Sequence, residues 1–126
     1  MGAKLARPDK LCINWLGDGA FGMVGTDFET AARNQIPILS VLSNNFEMAT
    51  ETARMTVSHG RYQTRATLGN YADMAKAMGG YAERVEHPAE VRPAIDRARR
   101  ATEEGRPALV EVITSAETAI SGARPT

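Results

Sequence analysis

Asp18 and Asn45 are the side chains of this sequence whose type and setting best suit a hard cation. Asp18 stands in Gly17-Asp18-Gly19-Ala20-Phe21-Gly22-Met23, and Asn45 closes Ile36-Pro37-Ile38-Leu39-Ser40-Val41-Leu42-Ser43-Asn44-Asn45. A carboxylate oxygen beside a carboxamide oxygen suits Mg²⁺, which keeps one or two protein carboxylates, some water and substrate phosphate oxygens. Gly17, Gly19 and Gly22 let the backbone come close and aim N–H groups at an anion. Together these groups fit a diphosphate bridged to protein by Mg²⁺. Each half alone has a plainer reading. The glycines could form an ordinary βα turn, Asp18 could cap a helix, and Asn44-Asn45 could be a loop.

The elements around these residues must bring them together. Leu11-Cys12-Ile13-Asn14-Trp15-Leu16 is an apolar run stopped by Gly17, the pattern of a buried strand of a parallel sheet. Thr26 and Glu29 form a T-x-x-E capping box, which predicts a helix from about Asp27 through Asn34. Ile36 to Leu42 reads as a second buried strand. The result is a β-α-β unit with Asp18 and Asn45 both just beyond strand carboxyl ends, the edge where open α/β sheets bind ligands.

Gly-Asp-Gly, then 24 residues from Ala20 to Ser43, then Asn-Asn resembles the cofactor-binding motif of thiamine diphosphate enzymes. Ala20-Phe21-Gly22, Glu29-Thr30-Ala31, Arg33 and Ile36-Pro37-Ile38 resemble the acetolactate synthase-like branch, and within it the oxalyl-CoA decarboxylase and 2-hydroxyacyl-CoA lyase type. The resemblance implies that Asp18, the side chain of Asn45 and the main-chain carbonyl of Glu47 bind Mg²⁺. It implies that backbone N–H groups at Gly19 and Ala20 hold the diphosphate of thiamine diphosphate, with Gly17 and Met48 also at the cofactor. One departure stands out. The family commonly has a glycine shortly after Asn-Asn, whereas this chain has Phe46-Glu47-Met48-Ala49-Thr50. A carbonyl ligand needs no special side chain, so this departure bears on the loop path and not on the metal.

Further along, Met48 to Val57 has a helical pattern and Ser58-His59-Gly60-Arg61-Tyr62 reads as a loop. His59 is either an acid/base or substrate-contacting group or a surface loop histidine, the commoner case for a ring with nothing nearby to orient it. Arg54, Arg61 and Arg65 are either contacts for an anionic substrate such as a coenzyme A phosphate or, the commoner case for scattered arginines, solvated surface. Asn70 predicts the N-cap of a helix that ends at Gly79 or Gly80, with Tyr71, Met74, Ala75 and Met78 on its apolar face. Tyr81 to Val85 reads as a strand. Pro88 to Glu104 reads as the longest helix, with Val91, Ile95 and Ala98 facing inward. Pro93 either bends its first turns or marks its true start. Pro107 to Ile113 is the last strand.

The expected fold is α/β: a three-layer parallel sheet with helices on both faces and right-handed crossovers. By the resemblance, residues 1–114 form a partial diphosphate-binding domain, N-terminally truncated, and residues 115–126 a tail. The pyrimidine-binding domain, with the glutamate that activates the cofactor, would come from the same longer chain or from a separate subunit. An exposed apolar surface left by missing pieces predicts homo-oligomers. A degenerate scaffold or regulatory module, or another nucleotide- or phosphate-binding domain on the same sheet edge, would use the same fold.

Composition is consistent with this. The 126 residues are enough for one core, and 15 basic against 15 acidic residues give no nucleic-acid or membrane surface. The single cysteine, Cys12, excludes an internal disulfide and reads as a small core residue. No apolar stretch reaches the roughly 18 residues of a membrane span, and a cytoplasmic protein acting on a small molecule is the expectation.

Overall fold

A central strand with parallel neighbours on both sides organises the chain. In the computed structural model residues 1–116 are described, apart from the side chains of residues 50, 52 and 53; most of the expected tail, 117–126, lies outside the described residues. In order come α1 (Gly2–Ala6), β1 (Ile13–Gly17), α2 (Asp18–Val24), α3 (Asp27–Arg33) and β2 (Leu39–Asn44). A 3₁₀ turn (Ala49–Arg54) and α4 (Thr56–Tyr62) follow, then α5 (Tyr71–Ala77), β3 (Tyr81–Val85), α6 (Pro88–Glu103) and β4 (Ala108–Ile113). The four strands are all parallel, in the order β1-β2-β4-β3.

Strand alternation divides the core between two faces. Leu42, Ala82 and Leu109 pack under Phe21 of α2, Phe28 of α3, and Tyr71, Ala72 and Ala75 of α5. Leu39, Val41, Val85, Ala108 and Val110 pack under Ala94, Ala98 and Ala101 of α6. Helices therefore cover both faces, as expected of the α/β three-layer class. The small alanines let α6 sit close to the sheet, and Leu39, Leu42, Leu109 and Val110 are fully buried, each contributing about 1.5–3 kcal/mol.

Several expected elements form where the sequence puts them. Asn70 Oδ1 accepts from Asp73 N at 3.0 Å and caps α5. Gly79 follows that helix at φ +90° and Gly105 follows α6 at φ +87°, both in the region that favours glycine. Pro88 occupies the first turn of α6, and Pro93 lies inside a continuous helix. Val91 and Ile95 flank the buried alanines of that helix.

Other expectations are corrected. The first strand is not buried: Ile13 is 59% and Trp15 73% exposed. Both share the face of Leu39 and Val41 through the register Ile13↔Leu39 and Trp15↔Val41, but α6 lies over β3, β4 and β2 and leaves β1 bare. Cys12 precedes this strand and is half-buried, not a core residue. The capping box does not form. Thr26 has helical dihedrals (φ −65°, ψ −21°) and no side-chain cap bond, because α2 ends just upstream and the chain turns at Gly25 without leaving helical conformation. Glu29 instead pairs with Arg33 at 2.9 Å. The second strand starts at Leu39 and not Ile36, since Pro37 cannot donate to a ladder. Within the expected helix over Met48–Val57, Ala49–Arg54 is a 3₁₀ turn and Thr56 and Val57 open α4, whose body takes up the expected loop at Ser58–Tyr62. Gly60 there is tolerated at a cost of about 1 kcal/mol relative to alanine.

Gly80, between α5 and β3, is a tight point. A Cβ there would lie 2.2 Å from Phe28 Cε1 and 3.0 Å from the Pro107 carbonyl oxygen. Gly80→Ala should lower unfolding stability by about 1–3 kcal/mol in urea titration; an unchanged midpoint would show that Phe28 yields freely.

Candidate functional site

The candidate site lies where β1 and β2 end. The parallel register pairs Gly17 with Ser43, so Asp18 and Asn45 leave the sheet at the same edge. There a cleft of about 650 Å³ is lined by Gly17, Asp18, Gly19, Ala20, Asn45, Glu47 and Met48, together with Trp15 and Ser43. Every residue that the resemblance assigns to cofactor or metal borders this one space. Gly22, further along α2, is not among its described lining residues. Among the described residues no three His, Cys, Asp or Glu side chains gather into a metal cage, so a cation in this cleft would depend on a mixed oxygen set.

Asp18 opens α2 and is 3% exposed. No sequence signal marks this helix, because its Gly-rich composition reads as a turn. Thr67 Oγ1 donates to Asp18 Oδ2 at 2.5 Å, which engages one oxygen of the buried carboxylate. Gly19, one residue on, faces the loop after β2, and a Cβ there would meet Met48 Cγ at 3.3 Å. The glycine is thus a close-approach position between the two halves of the motif.

On the other side, Asn45 Oδ1 accepts from Glu47 N at 3.1 Å. A carboxamide oxygen has two lone pairs, so this bond leaves capacity for a second partner. Glu47 forms an antiparallel bridge with Ala66, flanked by Met48 N donating to the Arg65 carbonyl (2.8 Å) and Thr67 N donating to the Phe46 carbonyl (3.0 Å). In such a bridge the central residue turns its own N–H and C=O away from the partner strand. Since the Glu47 N–H goes to Asn45 Oδ1, its carbonyl faces the Asn45 side as well. The Glu47 carboxylate pairs with Arg65 at 2.5 Å.

Sequence reasoning missed the residues that hold this arrangement. Residues 65–67 touch both halves: Thr67 reaches Asp18 while Arg65 and the backbone fasten Glu47 and Met48. No motif marks them, since they matter only through contacts between distant parts of the chain. Tyr71 packs edge-on against Phe21 with ring centroids 5.4 Å apart. Its phenol is pushed above its ordinary pKa, first by burial and then by the Asp18 charge. His59 lies on α4 and not on a loop, and is not among the cleft's described lining residues. Its ring is oriented after all, because Nδ1 accepts from Arg65 N at 3.3 Å.

Thr67→Val keeps shape and removes the donor to a buried carboxylate. It should lower stability at neutral pH by about 1.5–3 kcal/mol, read from urea unfolding; a change within error would mean that the Asp18–Thr67 bond contributes nothing net.

Comparison with known proteins identifies the family of the chain. A family model described as "Thiamine pyrophosphate enzyme, C-terminal TPP binding domain" matches residues 1–112. The chain is 38% identical over 117 residues to the acetolactate synthase large subunit IlvG of Mycobacterium tuberculosis, covering 90% of this chain and 21% of that protein. It is 32% identical over 120 residues to sulfoacetaldehyde acetyltransferase of Alcaligenes xylosoxydans xylosoxydans, covering 93% and 20%. It thus spans about a fifth of the length of these relatives. The solved thiamine diphosphate-dependent 4-hydroxybenzoylformate decarboxylase of Rhodococcus jostii RHA1 shares the fold, with a TM-score of 0.72 at 23% identity over 94% of this chain and 22% of that one. With a parallel sheet, Gly-Asp-Gly and Asn-Asn at one edge, and a family match along nearly its whole length, this chain belongs to the C-terminal thiamine diphosphate-binding domain family of thiamine diphosphate enzymes.

Proposed function

We propose that this chain anchors the diphosphate of thiamine diphosphate through Mg²⁺, as one domain of a lyase or transferase acting on 2-keto acids or 2-hydroxyacyl compounds. The reading is carried by one observation: Asp18 and Asn45 border the same cleft, at strand ends set level by the Gly17↔Ser43 pairing. The donors suit the ion. Asp18 offers a carboxylate oxygen beyond the one held by Thr67, Asn45 a carboxamide oxygen, and Glu47 a carbonyl turned to the same side. One carboxylate with neutral oxygens, the rest left to water and phosphate, is the magnesium pattern. Gly17 and Gly19 keep the cleft free of side chains where the phosphates would approach, backbone N–H groups of Gly19 and Ala20 bind them, and Met48 closes against Gly19.

Thiamine diphosphate, when bound, supplies a nucleophilic thiazolium carbon and an electron sink for making or breaking a carbon–carbon bond. The roles of this chain are to hold the metal, neutralise the diphosphate and fix its position. Residues 1–114 are the anchoring domain. The activating glutamate belongs to a pyrimidine-binding domain, on the same longer polypeptide or on another subunit. The assembly is a cytoplasmic homo-oligomer, and the bare Ile13–Trp15 face of β1 is the surface through which neighbouring structure would dock.

Trp15 is the single tryptophan and borders the cleft, so its fluorescence reports occupancy. Thiamine diphosphate should quench it in the presence of Mg²⁺ and not in EDTA, and Asp18→Asn should weaken binding at least about tenfold, or 1.4 kcal/mol. Tighter binding of ADP than of thiamine diphosphate, or a response indifferent to Mg²⁺, would overturn the reading. The isolated chain, supplied with cofactor and pyruvate, oxalyl-CoA or a 2-hydroxyacyl-CoA, should give no turnover; measurable product would refute the need for a second domain.

A further inference from the structure

Glu111 is a carboxylate in the middle of β4, fully buried, and not used by the site as described so far. The register pairs Leu42 with Glu111, so Asn44, two residues beyond Leu42, lies on the same face of the sheet. Asn44 Nδ2 donates to Glu111 Oε1 at 2.7 Å, and Ala72 N donates to Glu111 Oε2 at 2.9 Å. Arg84 on the neighbouring strand brings Nη1 to 3.8 Å from Oε1. Burying a carboxylate is costly unless it is paired and hydrogen-bonded, and here each oxygen accepts one hydrogen bond with a guanidinium nearby.

Asn44 passes the constraint on. Its Oδ1 accepts from Phe46 N at 3.0 Å, and Phe46 sits at φ +58°, a backbone region unfavourable for a residue with a side chain. Asn45 lies between the two ends of this clamp, and Glu47 directly follows it. We propose that Glu111 is a positioning residue for the cation site: through Asn44 it holds the left-handed turn at Phe46 and so aims the Asn45 side chain and the Glu47 carbonyl at the cleft. This inference rests on the metal-anchoring reading above. It adds a residue 67 positions from Asn44 in the chain, identified by the direction of its hydrogen bonds.

Those directions supply a test. Asn44 Nδ2 and Ala72 N are both donors, so both Glu111 oxygens must accept. A glutamine at position 111 has one accepting end and one donating end. It must oppose either Ala72 N–H or Asn44 Nδ2, and in the second case Asn44 turns over and presents its own NH₂ to Phe46 N–H. Exchanging the pair, Asn44→Asp with Glu111→Gln, gives Ala72 N, Phe46 N and the amide NH₂ between positions 44 and 111 an acceptor again, while Arg84 Nη1 now faces that NH₂. The carboxamide now at position 111 donates to the carboxylate now at position 44 and accepts from Ala72 N, while that carboxylate also accepts from Phe46 N.

The experiment measures amide hydrogen exchange by NMR, without cofactor, and Mg²⁺-dependent thiamine diphosphate affinity, in the full chain and its variants. Glu111→Gln should speed exchange at Phe46 at least about tenfold and weaken the cofactor at least about tenfold, a difference well above the spread between repeat titrations. The exchanged pair should bring both back to within about threefold of the native chain. Faster exchange at Ala72 alone would make Glu111 merely a cap of α5 and overturn the proposal, as would an exchanged pair that restores neither quantity. If Glu111→Gln does not fold, the exchanged pair decides by itself: folded with a protected Phe46 amide supports the proposal, and unfolded or unprotected rejects it. A native chain that binds no thiamine diphosphate sinks the functional reading instead, and the cofactor-free exchange comparison still decides whether Glu111 holds the turn.

Discussion

The pairing of Gly17 with Ser43 is the constraint on which this molecule depends. Parallel strands run in one direction about 4.8 Å apart, so two strands that end level deliver the residues following them to neighbouring points on one edge. Antiparallel pairing of the same strands would send Asp18 and Asn45 to opposite ends of the sheet. A slip of one residue would exchange the two faces of β2, turning Leu42 away from Phe21 and Phe28 and Asn44 away from the Glu111 carboxylate. The register of a hydrophobic core thereby sets the register of a polar site.

The intervening 24 residues must leave the sheet, cross its face and return. They do so with two short helices bent at Gly25, where the Phe21 ring and carbonyl come within 2.6–2.8 Å of where a Cβ would stand. That contact leaves no room for another residue type, and it places Phe21 and Phe28 side by side over Leu42. Neither helix has the length to be stable alone. Both are held by the apolar face they share with α5.

The sequence was most legible where local chemistry decides the structure. Asn70 caps its helix because its own side chain reaches the third backbone N–H, Gly79 and Gly105 end helices because they tolerate positive φ, and Tyr81–Val85 is a strand by pattern alone. The reading failed where distant contacts decide. Leu11 to Leu16 has the composition of an interior strand, yet exposure depends on what lies over it, which no window of sequence contains. Thr26 and Glu29 match a capping box, but the preceding helix ends too close for Thr26 to adopt an extended backbone. The cleft shows the same division. The seven lining residues assigned to cofactor or metal went with a motif and could be named from the sequence, whereas Thr67 and Arg65 hold them in place through contacts that only folding creates.

The turn at Phe46 shows how such contacts behave together. Glycine would adopt its backbone conformation freely, but this chain has an aromatic residue there, with the Arg84 guanidinium 5.5 Å from the centre of the ring and the Phe46 carbonyl accepting from Thr67. The conformation is imposed by its neighbours and has no preference of its own to fall back on. Each of these partners therefore offsets part of the cost of a left-handed backbone at an aromatic residue, and loosening any one of them leaves more of that cost to the rest.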